Sequence, residues 1–201
     1  MLTNFHVRQL LRDLAILTTK SFDGQRKIGQ GYTTGGSSSN PDGLTTGLAN
    51  RLGRFAGNAS GTSDVVKCLI ENPWGSKWEF VDDVVTALNG SAYSDLYAGQ
   101  RLQPDDDATA MNLVTSDLVA SNGWATAIKT GSTSWGLAYN STGGDAVGLC
   151  DYHWRNTGIP CLCLWGGNSD GGSRCGPSCV TLVDALSNSS WRVGGRLNFV
   201  I

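Results

Sequence analysis

Short runs of alternating apolar residues, separated by glycine-rich turns, occupy residues 151–201 of this chain. The apolar positions of these runs are Tyr152, Trp154, Leu162, Leu164, Val180, Leu182, Trp191 and Val193. Side chains alternate between the two sides of a strand, so each run should place apolar residues on one face and chemically mixed residues on the other. Turns such as Gly166-Gly167 separate the runs. The pattern predicts a small antiparallel sheet with one packed face and one varied face.

Charge and hydropathy limit the function classes that are open to the chain. The net charge is −2, and the 15 Lys and Arg residues form no dense block, which argues against a nucleic-acid or anionic-membrane partner. No apolar run approaches the roughly 20 residues that span a bilayer. Residues 1–20 lack the compact apolar segment of a secretory signal. We therefore expect a chain that folds in the cytosol, with no membrane insertion and no signal peptide.

The N-terminal third of the chain divides into a helix and a polar arm. Residues 3–19 carry apolar residues at helical spacing, which predicts a helix that covers the domain with its apolar side. We assign Phe5, Val7, Leu10, Leu11, Leu14 and Leu17 to the apolar side, and Arg8, Arg12 and Asp13 to the opposite side. An oligomerisation or tail-attachment helix is the alternative interpretation. Residues 21–63 are rich in Gly, Ser, Thr and Asn, which predicts an extended arm, so we place the domain boundary between residues 63 and 64.

Large aromatic residues mark the start of the second domain, residues 64–201. Trp74 and Trp78 surround Gly75 and are expected to anchor a core, with a strand near residues 81–85. Residues 92–97 predict another strand, and residues 123–129 a further short strand or turn. The predicted fold class is therefore α+β, with small antiparallel sheets, an N-terminal helix and long loops.

Two stretches of the chain resemble the C-type lectin fold in its formylglycine-generating-enzyme branch. The segment NPWGSKWEFVDD, residues 72–83, resembles that branch's G-N-V-W-E-W-x-x-D signature. LWGGN at residues 164–168, followed by WRVGGRL at residues 191–197, resembles its R-G-G-S-W and I-G-F-R close. The combination is most similar to the variable proteins of diversity-generating retroelements, which phages, archaeal viruses and some cellular genomes carry. The resemblance implies a C-type lectin-like ligand-binding domain over residues 64–201, with a variable region at about 151–201.

The composition of the closing segment agrees with this resemblance. Between Thr130 and Ile201 there is no Lys, Glu, Gln or Met, although all four occur earlier in the chain. In these retroelements the adenines of a template repeat are copied to any base, so that Asn codons diversify to a set without Lys, Glu, Gln, Met or Trp. Trp165 lies outside that set and is interpreted as a fixed residue. A glycine-rich sheet that uses few long side chains is the alternative explanation.

The resemblance further implies that the variable face binds a protein or surface receptor through contact diversity. A rigid sheet holds contact residues in place, so that binding has a small ordering cost. The contact candidates are His153, Arg155, Ile159, Cys161, Cys163, Asp170, Ser173, Arg174, Cys179, Thr181, Val183, Ser190 and Arg192. The implied setting is a viral tail or a cell surface, with the N-terminal helix available for oligomerisation or tail attachment. No catalytic residue and no cofactor are expected.

An oxidase of the formylglycine-generating kind is the rival interpretation. The chain has two histidines, His6 and His153, which leaves no histidine cluster for iron and no base to pair with a Ser or Cys nucleophile. Oxidases of this branch use a pair of cysteines in their C-terminal region. Cys175 and Cys179 lie in roughly that region, but the pattern around them does not match. We therefore expect that the chain is not an enzyme.

Two metal sites are further alternatives. The cysteines at positions 161, 163, 175 and 179 have C-x-C and C-x-x-x-C spacings instead of the C-x-x-C spacing usual for zinc, so free thiols are the expected state. Gln103-Pro104-Asp105 matches a tripeptide that sugar-binding C-type lectins use to hold calcium, within an acidic loop at residues 102–107. The Trp-Asn-Asp motif that those lectins also need is missing. Calcium-dependent carbohydrate binding is kept as an alternative function, and no metal is expected.

Overall fold

The computed structural model describes residues 5–23, 27–31, 33, 70–99, 111–116, 118, 121–125 and 151–194, and the backbone of four short strands outside these ranges. The elements are α1 (Phe5–Thr19), β1 (Phe55–Ala56), β2 (Val66–Lys67), β3 (Ile70–Glu71), β4 (Trp78–Asn89), β5 (Ala92–Ala98), β6 (Asn112–Thr115), β7 (Gly123–Trp124), β8 (Ala127–Ile128), β9 (Ala138–Asn140), β10 (Tyr152–Arg155), β11 (Leu162–Trp165), β12 (Val180–Leu182) and β13 (Val193–Gly194). The predicted α+β class is confirmed, as are the helix, the strand near residues 81–85 and the strand at residues 92–97.

A mixed sheet of eight strands forms the centre of the fold. Its order is β6-β5-β4-β11-β12-β10-β7, and β13 pairs with β4 beside this path. Most neighbours are antiparallel, but β10 runs parallel to β12 and β13 runs parallel to β4. The prediction of small antiparallel sheets is therefore wrong for the central sheet, because the closing strands join strands from the middle of the chain. Two smaller sheets, β1-β2-β3 and β8-β9, accompany it.

The central sheet buries side chains on both of its faces. On the face that α1 covers, here called the helix face, the buried cluster consists of Phe5, Val81, Val84, Leu96, Ala98, Val114, Cys161, Cys163, Trp165 and Leu182. On the opposite face, here called the far face, Trp78, Leu164 and Cys179 pack with the partly buried Phe80, Trp154, Leu162 and Val193. Burial on both sides explains why β11 carries an uninterrupted apolar run.

The register between strands decides which residues share a face. Leu164 lies opposite Thr181, and Trp165 lies opposite Val180. An apolar position of one strand therefore stands beside a mixed position of the next. The sequence pattern located the strands correctly, but the predicted division into one apolar face and one mixed face is wrong, because alternation within a strand carries no information about its neighbour's register.

Helix α1 is held at its first residue by a carboxylate of β4. The Phe5 N–H donates to Asp83 Oδ1 at 2.6 Å, which satisfies one of the unpaired amide groups at the start of the helix. At the other end, Lys20 adopts a left-handed conformation with φ of 53°, and the Ser21 N–H donates to Ile16 O at 3.3 Å. Such a bond satisfies a carbonyl of the last turn and ends the helix.

The buried side of α1 combines polar and apolar residues, namely Phe5, Arg8, Gln9, Leu11, Arg12 and Ala15. Arg8 donates to Pro73 O at 2.6 Å and forms an ion pair with Glu79, and both charged side chains are buried. Arg12 is also buried, whereas Leu10 is exposed. The prediction that Arg8 and Arg12 lie on the solvent side is wrong. For Arg8 the physical reason is the Glu79 carboxylate that β4 places on the helix face, because a buried charge is stable only beside an opposite one. Arg12 pairs with Asp13 of α1 itself.

The aromatic segment before β4 anchors a second small core, as predicted. Trp74 is 2% exposed and packs with Ala15 of α1 and with Ile28. Its Nε1–H donates to Gly29 O at 2.7 Å, so the indole is both buried and satisfied. The segment therefore connects α1, residues 27–31 and the start of the central sheet.

Candidate functional site

A cleft of about 370 Å³ opens on the far face beside β4, β10 and β12. Ligand sites in proteins commonly have volumes of about 300–1,000 Å³. The lining residues come from these strands, from the loop between β11 and β12, and from the residues around β13: Trp78, Trp154, Asn168, Asp170, Gly171, Arg174, Thr181, Val183, Asp184 and Arg192. Its size suits a side chain or short loop of a larger partner, or a small molecule.

Aromatic rings form one wall of the cleft. Trp78 and Trp154 meet edge to face with their ring centroids 5.4 Å apart. The ring centroids of Tyr152 and Trp154 are 4.5 Å apart. Trp124 continues the row beside Tyr152 at 5.3 Å. Edge-to-face pairs of this kind contribute about 0.5–1.5 kcal/mol each beyond the burial of their area. The wall is therefore a rigid, largely apolar surface.

The loop between β11 and β12 supplies the polar rim. The Cys175 side chain occupies space that a Cβ atom on Gly167 would fill, and Gly167 has a φ of 84°, so glycine is required there. Cys175 Sγ donates to Asn168 O at 3.4 Å. The Asp151 carboxylate accepts a bond from the Ser178 N–H at 2.6 Å. These contacts fix a glycine-rich loop that would otherwise be mobile.

An exposed ion pair lies across the rim of the cleft. Arg192 donates to Asp170 Oδ2 from Nε at 2.9 Å and from Nη2 at 2.7 Å. The Asn168 amide donates to the other oxygen of Asp170. The Arg192 guanidinium also lies 4.9 Å from the centroid of the Trp191 ring, a cation–π distance. The pair joins the β11–β12 loop to the segment that precedes β13.

Arg174 presents a second guanidinium at the rim. It lies 5.2 Å from the centroid of the Tyr152 ring, and no carboxylate among the described residues pairs with it. A guanidinium stacked on an aromatic ring keeps its donors in a planar arrangement that suits carboxylate and carbonyl acceptors. Across the cleft, burial raises the pKa of Asp184, whose Oδ1 accepts a bond from Asn188 at 2.6 Å.

Part of the candidate contact set converges on this cleft. Asp170, Arg174, Thr181, Val183 and Arg192 all line it. Two further candidates adjoin these residues. Ser173 is exposed on the 3₁₀ turn Gly172–Arg174, and Ser190 Oγ accepts a bond from the Arg192 N–H at 3.2 Å. Ile159 is 36% exposed but lies in the loop after β10, outside the cleft lining.

The expectation of an exposed position is wrong for Thr181, which lines the cleft but is 3% exposed, and for the five candidates that remain. His153, Arg155, Cys161, Cys163 and Cys179 are all buried. The first four lie on the helix face, because β10 and β11 pair with β12 in registers that place their mixed positions beside Val180 and Leu182. Cys179 belongs to the far face but packs beneath Trp78. None of these five side chains is available to a ligand.

Two of the buried candidates, His153 and Arg155, make polar contacts with segments next to β10. The Arg155 N–H donates to Asn122 Oδ1 at 2.5 Å, and its guanidinium donates to Tyr93 O. Burial lowers the pKa of Arg155 to about 10. Burial also lowers the pKa of His153, and the Arg155 charge lowers it further, although a bond with the Ser121 backbone raises it. The two residues connect β10 to neighbouring segments.

The cysteines of the rival oxidase interpretation are poorly suited to nucleophilic chemistry. Burial raises the pKa of Cys175 to about 12 and the pKa of Cys179 well above its usual value. At neutral pH both therefore remain thiols, and the thiol is the unreactive form. Cys161 and Cys163 lie on the helix face, opposite Cys179. In the described ranges, no three His, Cys, Asp or Glu side chains come together as metal ligands.

Several cleft residues were not singled out as binding residues in the sequence. Trp78 and Trp154 were expected to be core residues. They do pack with Leu164, but both also line the cleft. Asn168 and Asp184 lie in turns that gave no signal beyond their polar character. The order of the strands, rather than any local motif, brings them together. Cys68, Cys150 and Gln103-Pro104-Asp105 lie outside the described residues.

No α-helix in the described part of the chain is long and apolar enough to span a membrane. No protein-family model, curated protein or solved structure matches this chain.

Proposed function

We propose that this chain is a ligand-binding protein of the diversity-generating retroelement type, which displays a diversified surface on a C-type lectin scaffold as a viral tail or surface adhesin. The proposal combines the motif resemblance with one structural observation. Residues from three separate segments of the closing region, Asp170 and Arg174, Thr181 and Val183, and Arg192, line a single cleft. A partner that enters the cleft would contact all three segments at once.

The division of residue types around the cleft supports this proposal. The lining carries Asp, Arg and Val, with Thr181 buried beneath the cleft, and diversification of an Asn codon can produce all four residue types. The aromatic wall carries Trp78 and Trp154, and Trp lies outside that set. A fixed wall with a replaceable rim would allow specificity to change while the apolar contact surface stays constant. Recognition then depends on shape and contacts, and no reactive group is needed.

Energetic considerations favour a protein ligand. Arg, Trp and Tyr contribute most of the binding energy in protein interfaces, and the cleft offers Arg174 and Arg192 beside an aromatic row. Arg192 is already held by Asp170 and Arg174 by Tyr152, so binding would order few additional rotamers. The ligand that fits best is a protein loop that inserts an apolar side chain between flanking polar contacts.

A peptide library tests the proposed site directly. Random peptides displayed on phage are selected on the immobilised full chain, and the enriched clones are assayed on Arg174→Ala and on Val183→Arg, which fills the cleft. Leu113→Gln, an exposed substitution on the edge strand β6, is the matched control. We expect clones that bind the wild type and the control but lose at least tenfold in affinity on both cleft variants. Enriched clones that bind all variants equally would contradict the proposal.

The diversification part of the proposal has its own test in the flanking DNA. We expect a reverse-transcriptase gene and a near-duplicate of the closing coding segment that differs from it at adenine positions. If neither lies near the gene, diversification is excluded while the binding role of the cleft is still decided by the peptide selection.

A further inference from the structure

The solvent side of α1 carries an uninterrupted apolar seam. Val7, Leu10, Leu14 and Leu17 follow one another at spacings of three, four and three residues, which is the a/d pattern of a coiled coil. Leu10 is 57% exposed and Leu17 is 71% exposed, while Val7 and Leu14 are half-buried. The helix therefore buries Arg8 and Arg12 together with Phe5 and Leu11, while Leu10 and Leu17 face the solvent.

We propose that α1 mediates parallel self-association of this chain, with the seam residues of one copy packing against the same residues of another. The 3-4-3 spacing fits a helical partner, because knobs at a and d positions need the holes of a second helix. Within the described residues α1 is the one α-helix. A second copy of the chain therefore supplies a complementary helix, and homo-oligomers with closed symmetry are the commonest protein assemblies.

The charges beside the seam select the parallel orientation. His6 and Asp13 occupy the flanking positions on the side that faces away from the sheet, and Asp13 is exposed. In an antiparallel pair that aligns the same seam, Asp13 would face Asp13 of the other copy. This is a contact between like charges, which destabilises helix pairs. In a parallel pair Asp13 lies beside Thr18 of the other copy, and no like charges meet.

The opposite flank of the seam is covered by the domain. Leu11, at the flanking position on the sheet side, is 8% exposed and already packs within the chain. The seam therefore lies at the outer surface with one flank against the domain and one flank open. The helix has 15 residues and a length of about 22 Å, so the contact is short and its association should depend on concentration.

Sedimentation velocity of the full chain over a concentration series tests the association. We expect the wild type to shift from the 21.2 kDa monomer to a larger species as the concentration rises. The double variant Leu10→Gln/Leu17→Gln should remain monomeric. The matched control is Leu88→Gln/Leu186→Gln, because both leucines are 56% exposed and lie outside α1. A monomeric wild type, or an oligomer that persists in the α1 variant, would overturn the proposal.

Cysteine cross-linking tests the orientation and does not depend on the behaviour of the glutamine variants. In a parallel pair, Leu10→Cys meets its own counterpart, so this variant alone should form a cross-linked dimer under mild oxidation. In an antiparallel pair, Leu10 meets Leu14, and a cross-link would form only when Leu10→Cys is mixed with Leu14→Cys. The unsubstituted chain, with its own six cysteines, gives the background. A product restricted to the mixture would refute the parallel arrangement.

Discussion

Leu164 and Thr181 lie opposite each other on neighbouring antiparallel strands, and both side chains are buried on the far face of the central sheet. One is a core residue of β11, and the other lies under the candidate cleft on β12. The packed core and the proposed binding surface are therefore adjacent, because these two residues pair across neighbouring strands. Substitutions in this layer should distinguish residues that stabilise the fold from residues that contribute little to its stability.

Truncation of Leu164 should strongly destabilise the chain. Leu164 is 1% exposed and packs between Trp78 and Cys179, so Leu164→Ala leaves a cavity that its rigid neighbours cannot fill. We expect a loss of about 2–5 kcal/mol in the free energy of unfolding, measured by urea denaturation. Leu186→Ala, at an exposed position, should change it by less than about 0.5 kcal/mol. Equal effects at the two sites would show that the far face is not a packed layer.

The ion pair at the rim should contribute little to stability. Asp170 and Arg192 are both exposed, so solvent and salt screen their attraction. A double-mutant cycle with Asp170→Ala and Arg192→Ala should give a coupling energy below about 1 kcal/mol, which falls further as salt is added. A coupling of several kcal/mol would mean that these positions cannot be varied freely, in conflict with the proposed diversification.

Asp83 should make stability fall as the pH rises above about 4. Burial raises the pKa of Asp83 above its usual 3.8, although the bond from the Phe5 N–H acts in the opposite direction. The folded chain then holds the proton more tightly than the unfolded chain, so the stability gained below 3.8 is lost as pH rises through the folded-state pKa. Asp83→Asn keeps an acceptor for Phe5 without the charge. The stability of wild type relative to this variant should decrease with pH, and identical pH profiles would refute the assignment.

His153 should have the opposite effect below neutral pH, where the stability of the chain should decrease as the pH falls. Its pKa in the folded chain is lowered from 6.5 by burial, so the unfolded chain binds the proton more tightly. The contribution of neutral His153 to stability is therefore fully present above pH 6.5 and is lost as the pH falls through its folded-state pKa. His153→Gln should lose less stability than the wild type when thermal unfolding is compared above and below pH 6.5. If the two chains respond alike, His153 is not the group that titrates.

The thiols of the closing segment should be protected in the folded chain. Cys161, Cys163, Cys175 and Cys179 are buried and form no disulfide bond, and burial raises the pKa of each. Alkylation followed by peptide mass spectrometry should leave these four unmodified in native buffer and modify all of them in denaturant. Fast modification of Cys175 or Cys179 in native buffer would instead favour the rival oxidase chemistry.

Local features of the fold were predictable because their causes are local. Alternation located β10, β11 and β12 to within a residue or two, and helical spacing located α1. The orientation of α1 was not predictable from its own residues. Arg8 is buried because β4 offers Glu79, which lies far away in the sequence. Leucine spacing alone cannot reveal such a partner.

The candidate cleft was predictable in part for the same reason. Asp170 and Arg192 were expected to be contact residues because the resemblance implied a variable face, and both line the cleft. The burial of His153 and Cys163 follows from pairing registers between β10, β11 and β12, and a shift of one residue would have reversed their faces. Trp154 lies at the cleft because β10 pairs in parallel with β12. This position was not predictable, because alternating patterns do not distinguish parallel from antiparallel neighbours.

The position of Arg192 is set by its main chain. The Trp78 N–H donates to Arg192 O at 2.8 Å, and β13 then continues alongside β4 through backbone pairing. These bonds use atoms that every amino acid other than proline supplies in the same form. A substitution at this position would therefore change the side chain that the rim presents while the backbone bonds that hold the position stay the same.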